Sequence, residues 1–266
     1  MDYIIQRYSD SLEFERYTIE NILTKAPYKY SALVKSASYA ELTAELVQDT
    51  IPIGTLEYVR KALLLQGYSE NVLSPIEIPH FLQKPMYLKR KYKIDSYKYL
   101  PKNGLWFIKD ATALKSSCAR VIPAKDIPDW VEEYTTIEEA QTHKFVVSEP
   151  VQIDAEYRVL VCRGVVQGVQ YYNGDPLLFP DANLIKNAVY AMSTRLQLGR
   201  KVPKSYTIDV GVNKEIGTFL IEIHNFVACG TYNFESNSLP QMYIDGIEYE
   251  RECSKEKDFK PLYYPG

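Results

Sequence analysis

The chain has 266 residues, with 31 Lys and Arg against 34 Asp and Glu, a net charge of −3. That balance disfavours attachment to nucleic acid through a basic face. Hydrophobic residues at 46% and charged residues at 24% are the proportions of an ordinary globular protein and not of a disordered one. No run of 18 apolar residues occurs, so no membrane-spanning helix is expected, and residues 1–7 lack the apolar stretch of a secretory leader. Cys118, Cys162, Cys229 and Cys253 are scattered without zinc-finger spacing, which suits reduced thiols in a cytoplasm. The 23 tyrosines suit strands and half-buried surfaces but name no function.

Taken in chain order, residues 3–5 predict a strand, 12–23 a helix by apolar spacing, and 30–34 a second strand. Residues 51–55 end a further strand, and Thr55 caps a helix with an apolar face of Leu56, Val59, Ala62 and Leu63 that Gly67 stops. Pro75, Pro79 and Pro85 mark a boundary near residue 80. Beyond it, 105–109 predicts a strand, 128–141 one acidic amphipathic helix, and 144–148 a strand. Two hairpins follow, at 156–172 around Arg163-Gly164 and at 206–224 around residues 214–217. A helix at 181–196 between them has Asp181 as its cap. The expected class is α+β, with a small α/β domain over 1–83, a main domain over 84–250 and a C-terminal tail over 251–266.

Three places carry chemistry. A four-residue loop at 214–217 sets Asp209 opposite Glu222 on one face of the second hairpin, with side chains about 5 Å apart. Two acids so placed either face solvent or hold a divalent cation, for which magnesium needs such hard oxygen ligands. In Glu156-Tyr157-Arg158, Glu156 and Arg158 share a strand face, either as an ion pair or as groups for sugar hydroxyls and an anion. The strand 105–109 ends in Lys109, and a loop of small and hydroxyl residues carrying Lys115 follows. Such a loop can cradle phosphates or simply lie in water, and it contains no glycine.

In this order the three elements resemble the ATP-grasp family. They are most like its clade, common in phages and bacteria, that is named for two arginines and one lysine. The resemblance spans residues 84–235, and it implies two α+β subdomains with ATP between them, preceded by a small α/β pre-grasp domain. It implies that Lys109 and Lys115 contact the phosphates and that Arg90 is the upstream arginine. It implies that residues 149–151, with Glu149 and Val151, belong to a hinge near 148–155 whose backbone meets the adenine edge. On the same resemblance Glu156, seven residues after Glu149, is expected to bind the ribose, and Arg158 to stabilise charge on the transferred phosphoryl group. Asp209, Glu222 and Asn225 are expected to hold magnesium, or manganese in its place. The family's acid and amide stand two apart, whereas here Glu222-Ile223-His224-Asn225 puts His224 at that spacing; a bulge after Glu222 is needed to bring Asn225 round.

The implied activity is ATP-dependent ligation of a carboxylate to an amine or other nucleophile through an acyl phosphate, on small-molecule or peptide substrates. A phosphotransferase is the alternative within the enzymes. The missing loop glycines and His224 also leave open a nucleotide-binding module without catalysis.

Overall fold

In the computed structural model, residues 2–7, 21–22, 33–70, 72–74, 76–111, 119–133, 135–197 and 202–255 are described. The apolar run at 3–5 forms β1 (Asp2–Gln6), which lies between β2 (Val34–Ala37) and β3 (Thr50–Ile53) and is parallel to both. Tyr3, Ile4 and Ile5 are all buried, as the middle strand of a covered parallel sheet requires. The second strand therefore starts where the expected one ends. Of the helix expected over 12–23, only the helical residues 21–22 lie within the described residues. After α1 (Ala44–Val47), α2 (Leu56–Leu65) begins at the predicted cap, where the Thr55 hydroxyl accepts the Tyr58 N–H at 3.3 Å. Val59, Ala62 and Leu63 face the sheet, and Gly67 leaves the helix at φ +85°.

A crossing segment with the short α3 (Pro85–Leu88) leads into an antiparallel sheet of order β4-β7-β5-β6. Its strands are β4 (Tyr92–Ser96), β5 (Leu105–Asp110), β6 (Arg120–Pro123) and β7 (Lys144–Ser148). One face packs Ile108, Phe145 and Val147 against Trp130 and Val131. The single helix expected over 128–141 is two, α4 (Ile127–Glu132) and α5 (Ile137–Ala140). Thr136 causes the break: its backbone is extended, its hydroxyl accepts the Glu139 N–H at 3.2 Å, and the Glu139 carboxylate accepts the Thr136 N–H in return.

The second antiparallel sheet has the order β11-β10-β8-β9. Its strands are β8 (Ala155–Cys162), β9 (Val165–Gly174), β10 (Ser205–Asn213) and β11 (Gly217–Asn225). Arg163 and Gly164, both at positive φ, make the first hairpin's two-residue turn. Between the hairpins, α6 (Ala182–Gln197) starts where Asp181 accepts the Asn183 N–H at 2.8 Å, and its buried Leu184, Ala188 and Met192 join Val159, Val161 and Ile208 in one core. A last helix, α7 (Leu239–Ser254), runs past the expected tail boundary at 251. Its Met242, Tyr243 and Ile247 share a core with Leu160, Phe226 and the first sheet. Residues 256–266 lie outside the described residues.

Candidate active site

The β10–β11 hairpin does bring the two acids together, but not by the expected route. The turn is residues 214–216, so Asn213 pairs with Gly217 and the ladder begins one position away from the predicted register. Val210 pairs with Leu220, Asp209 pairs with Glu222, and Ile221 is the extra residue between them. This bulge cancels the shorter turn and restores the pairing. On the other side of β10, Asp209 pairs with Arg158 of β8. Arg158, Asp209 and Glu222 thus form a row across three strands on one face.

Because the bulge precedes Glu222, alternation is regular after it, and His224 follows Glu222 on that face. The His224 Nε2 lies 2.9 Å from Glu222 Oε1 and 3.4 Å from Asp209 Oδ2. Nε2 is buried without an aligned hydrogen bond, so these are charge contacts. Burial alone would lower the imidazole pKa, yet the two carboxylates outweigh it and raise it to about 9. Burial likewise pushes the Glu222 carboxyl up, but His224 and Lys109 hold it well below the usual range. Asn225 turns away towards α7. Its Oδ1 accepts the Val227 N–H at 3.2 Å, and its Nδ2 donates to the Glu250 carboxylate. Of the expected set, Asp209 and Glu222 lie together, and the third group beside them is His224 and not Asn225; one carboxylate or ring atom from each of the three lies within 4.8 Å of the others. The signal was in the sequence: plain strand alternation selects His224, and only an assumed bulge after Glu222 set it aside.

Arg158 is engaged with protein groups on the same face. Its Nε and Nη2 donate to the two oxygens of Asp209 at 2.7 and 2.6 Å, and its Nη1 donates to the Gly230 carbonyl at 2.9 Å. The guanidinium lies 4.9 Å from the Tyr232 ring centroid, and Tyr232 stacks on Tyr172 at 4.7 Å. The fork thus orients Asp209. Glu156 is half-buried and accepts from the Tyr172 hydroxyl at 2.7 Å and from Asn173 Nδ2 at 3.0 Å. Tyr172 is itself the extra residue of a bulge on β9.

The facing sheet contributes Lys109 at the end of β5, whose Nζ lies 3.0 Å from Glu222 Oε2. Lys109 and Glu222 both line a cleft of about 270 Å³. Phe107 and Val146 line it from one sheet and Phe219 and Ile221 from the other, with Val151 and Ile153 from the segment that joins them. Glu149 ties that segment to Lys91, just before β4: its N–H donates to the Lys91 carbonyl at 3.0 Å, and its carboxylate accepts the Lys91 N–H at 2.9 Å and pairs with Lys91 Nζ at 2.8 Å. Its side chain is therefore held at the rim. Arg90 lines the cleft, donating from Nη1 to the Leu220 carbonyl at 2.8 Å with its guanidinium over the Phe219 ring. Glu77, which the sequence reading missed, also lines the cleft; burial raises its carboxyl to about 7, with Lys144 pulling the other way. Lys115 lies outside the described residues.

Residues 87–242 match an ATP-grasp domain, family 2 of the clade named for two arginines and one lysine. The chain belongs to the ATP-grasp family. The fold of this ATP-grasp protein agrees with solved structures. That of D-cycloserine synthetase DcsG superposes with a TM-score of 0.55 at 10% identity, covering 94% of this chain and 99% of that one. D-alanyl-alanine synthetase A from Vibrio cholerae O1 biovar eltor gives 0.53 at 11% identity, covering 93% and 98%. At such identities the likeness speaks for the fold. No curated protein sequence matches the chain. Among the described residues, no helix is long and apolar enough to cross a membrane.

Proposed function

We propose that the protein is an ATP-dependent ligase that joins a carboxylate to an amine or a related nucleophile, on a small-molecule or peptide substrate. The observation that carries this reading is the ion pair of Lys109, from one sheet, with Glu222, from the other, in the lining of an apolar cleft, with Asp209 and His224 beside Glu222. Phe107, Val146 and Ile221 suit the two faces of a purine, with the backbone at 149–151 along its edge, while Glu156, the expected ribose contact, is not among the lining residues. Lys109 then exchanges Glu222 for the phosphates. Two carboxylates and a buried imidazole nitrogen without an aligned hydrogen bond fit a divalent cation. When bound, that cation supplies positive charge against the phosphate oxygens.

In the first step a substrate carboxylate oxygen bonds to the γ-phosphorus as the bond to the β-phosphate bridge oxygen breaks, giving an acyl phosphate and ADP. The nucleophile then adds to the acyl carbon, and phosphate leaves with the bonding electrons. The protein's share is position and charge: Lys109 orients the phosphates, Arg158 fixes Asp209, and the apolar walls keep water from the acyl phosphate.

Thermal stability with ATP and a divalent cation tests the site. Ligand at 100 times its dissociation constant adds roughly 2.7 kcal/mol to the folded state, a measurable rise in midpoint. The rise is expected in the wild type and is expected to be lost in Lys109→Ala and Glu222→Ala. A wild type unmoved by millimolar ATP with the cation would end this reading.

A further inference from the structure

The ligand set differs from a hard, all-oxygen site in one atom, and that atom decides which cation the site prefers. Building on the nucleotide site proposed above, we infer that the cation held by Asp209, Glu222 and His224 is a divalent first-row transition ion of the manganese type, selected over magnesium by the His224 imidazole.

Three observations carry this. The bulge at Ile221 stands before Glu222, so the strand places His224 beside the acids without further distortion. The His224 Nε2 is aimed between the carboxylates, 2.9 and 3.4 Å from their nearest oxygens, and is buried without an aligned hydrogen bond. The amide that would complete an oxygen set is committed elsewhere, since Asn225 uses its oxygen on the Val227 N–H and its nitrogen on Glu250. Among the described residues, these three form the one group of His, Cys, Asp and Glu close enough to share an ion.

Magnesium demands hard oxygen donors in near-ideal octahedral geometry and gives up water reluctantly. An imidazole nitrogen favours first-row transition ions, while carboxylates and phosphates also suit manganese. A site with two carboxylates, one imidazole and nucleotide phosphate therefore matches manganese at every donor, and magnesium at all but one.

The test uses the full chain with ATPγS, and it measures Mn2+ and Mg2+ binding by calorimetry and by competition followed through the Mn2+ paramagnetic signal. The ratio of Mn2+ to Mg2+ affinity is expected to fall at least tenfold in His224→Asn, which restores an oxygen donor at that position. Pulsed electron paramagnetic resonance on wild-type protein labelled with 15N-histidine is expected to show nitrogen coupling to the bound Mn2+, a readout that does not depend on the variant's folding. An equal ratio in both proteins, or no nitrogen coupling, overturns the inference while leaving the nucleotide site standing. Failure of ATPγS to bind the wild type with either ion overturns both.

Discussion

At the scale of single residues, the strongest constraint is the fork between Arg158 and Asp209, with side-chain exposures of 8% and 2%. Truncating one member of such a pair leaves an uncompensated buried charge, a loss of about 3–5 kcal/mol. Arg158→Ala is expected to lower the urea midpoint by an amount in that range, and Arg158→Ala with Asp209→Asn should recover part of it. Full additivity of the two substitutions would show that the fork is not what binds them. These contacts also mark how far single residues were legible. The types and spacing of Asp209, Glu222 and Lys109 are visible in the sequence because strand periodicity places side chains without any tertiary contact. The partner of Arg158 is not visible, because which acid a guanidinium finds depends on the neighbouring strand. The exchange of Asn225 for His224 lies between: local alternation held, and the long-range partner Glu250 explains why the amide faces α7.

At the scale of elements, the two hairpins and the capped helix α2 follow from turn residues and periodicity. The pairing of Asp209 with Glu222 was expected from a four-residue loop and arises from a shorter turn plus a bulge, a cancellation no local pattern reveals. The acidic segment 128–141 read as one helix because its charge is continuous, whereas Thr136 offers its backbone a better start. Helix α7 escaped notice because its buried face carries Asp245 and Glu250 among the apolar residues. Asp245 is held by Arg163 at 2.7 and 2.8 Å. Glu250 accepts the Leu73 N–H at 2.5 Å as well as Asn225. Burial raises the Glu250 carboxyl to about 7, against both of those hydrogen bonds. An acid raised on folding keeps its proton in the native state after the unfolded chain has lost it, so its contribution to stability falls as pH rises from about 4.5 to about 7. Relative to the wild type, Glu250→Gln should therefore gain roughly 2 kcal/mol between pH 5 and pH 7.5, read as the change in the difference of urea unfolding free energies. A pH-independent difference would show that burial does not govern this carboxyl.

At the scale of the whole molecule, the order of α/β unit, lysine-ended strand, hinge and acid-bearing hairpin was legible, because each element is local and the family arranges them in one sequence. What was hidden is how the pieces close on one another. The first sheet buries Tyr3 and Ile4 in the same core as Met242, Tyr243 and Ile247 of the last helix, and the Tyr3 hydroxyl donates to the Pro240 carbonyl 237 positions along the chain. Arg251 of that helix reaches the Thr50 carbonyl at the start of β3. On the ribosome, then, the first sheet emerges long before the helix that covers it, and must wait with an open apolar face while the 237 positions from Tyr3 to Pro240 are made. A chain cut after residue 238 is expected to lose protease resistance in its first 70 residues as well as near the cut. Protection of that early segment in the shortened chain would show that it can mature alone.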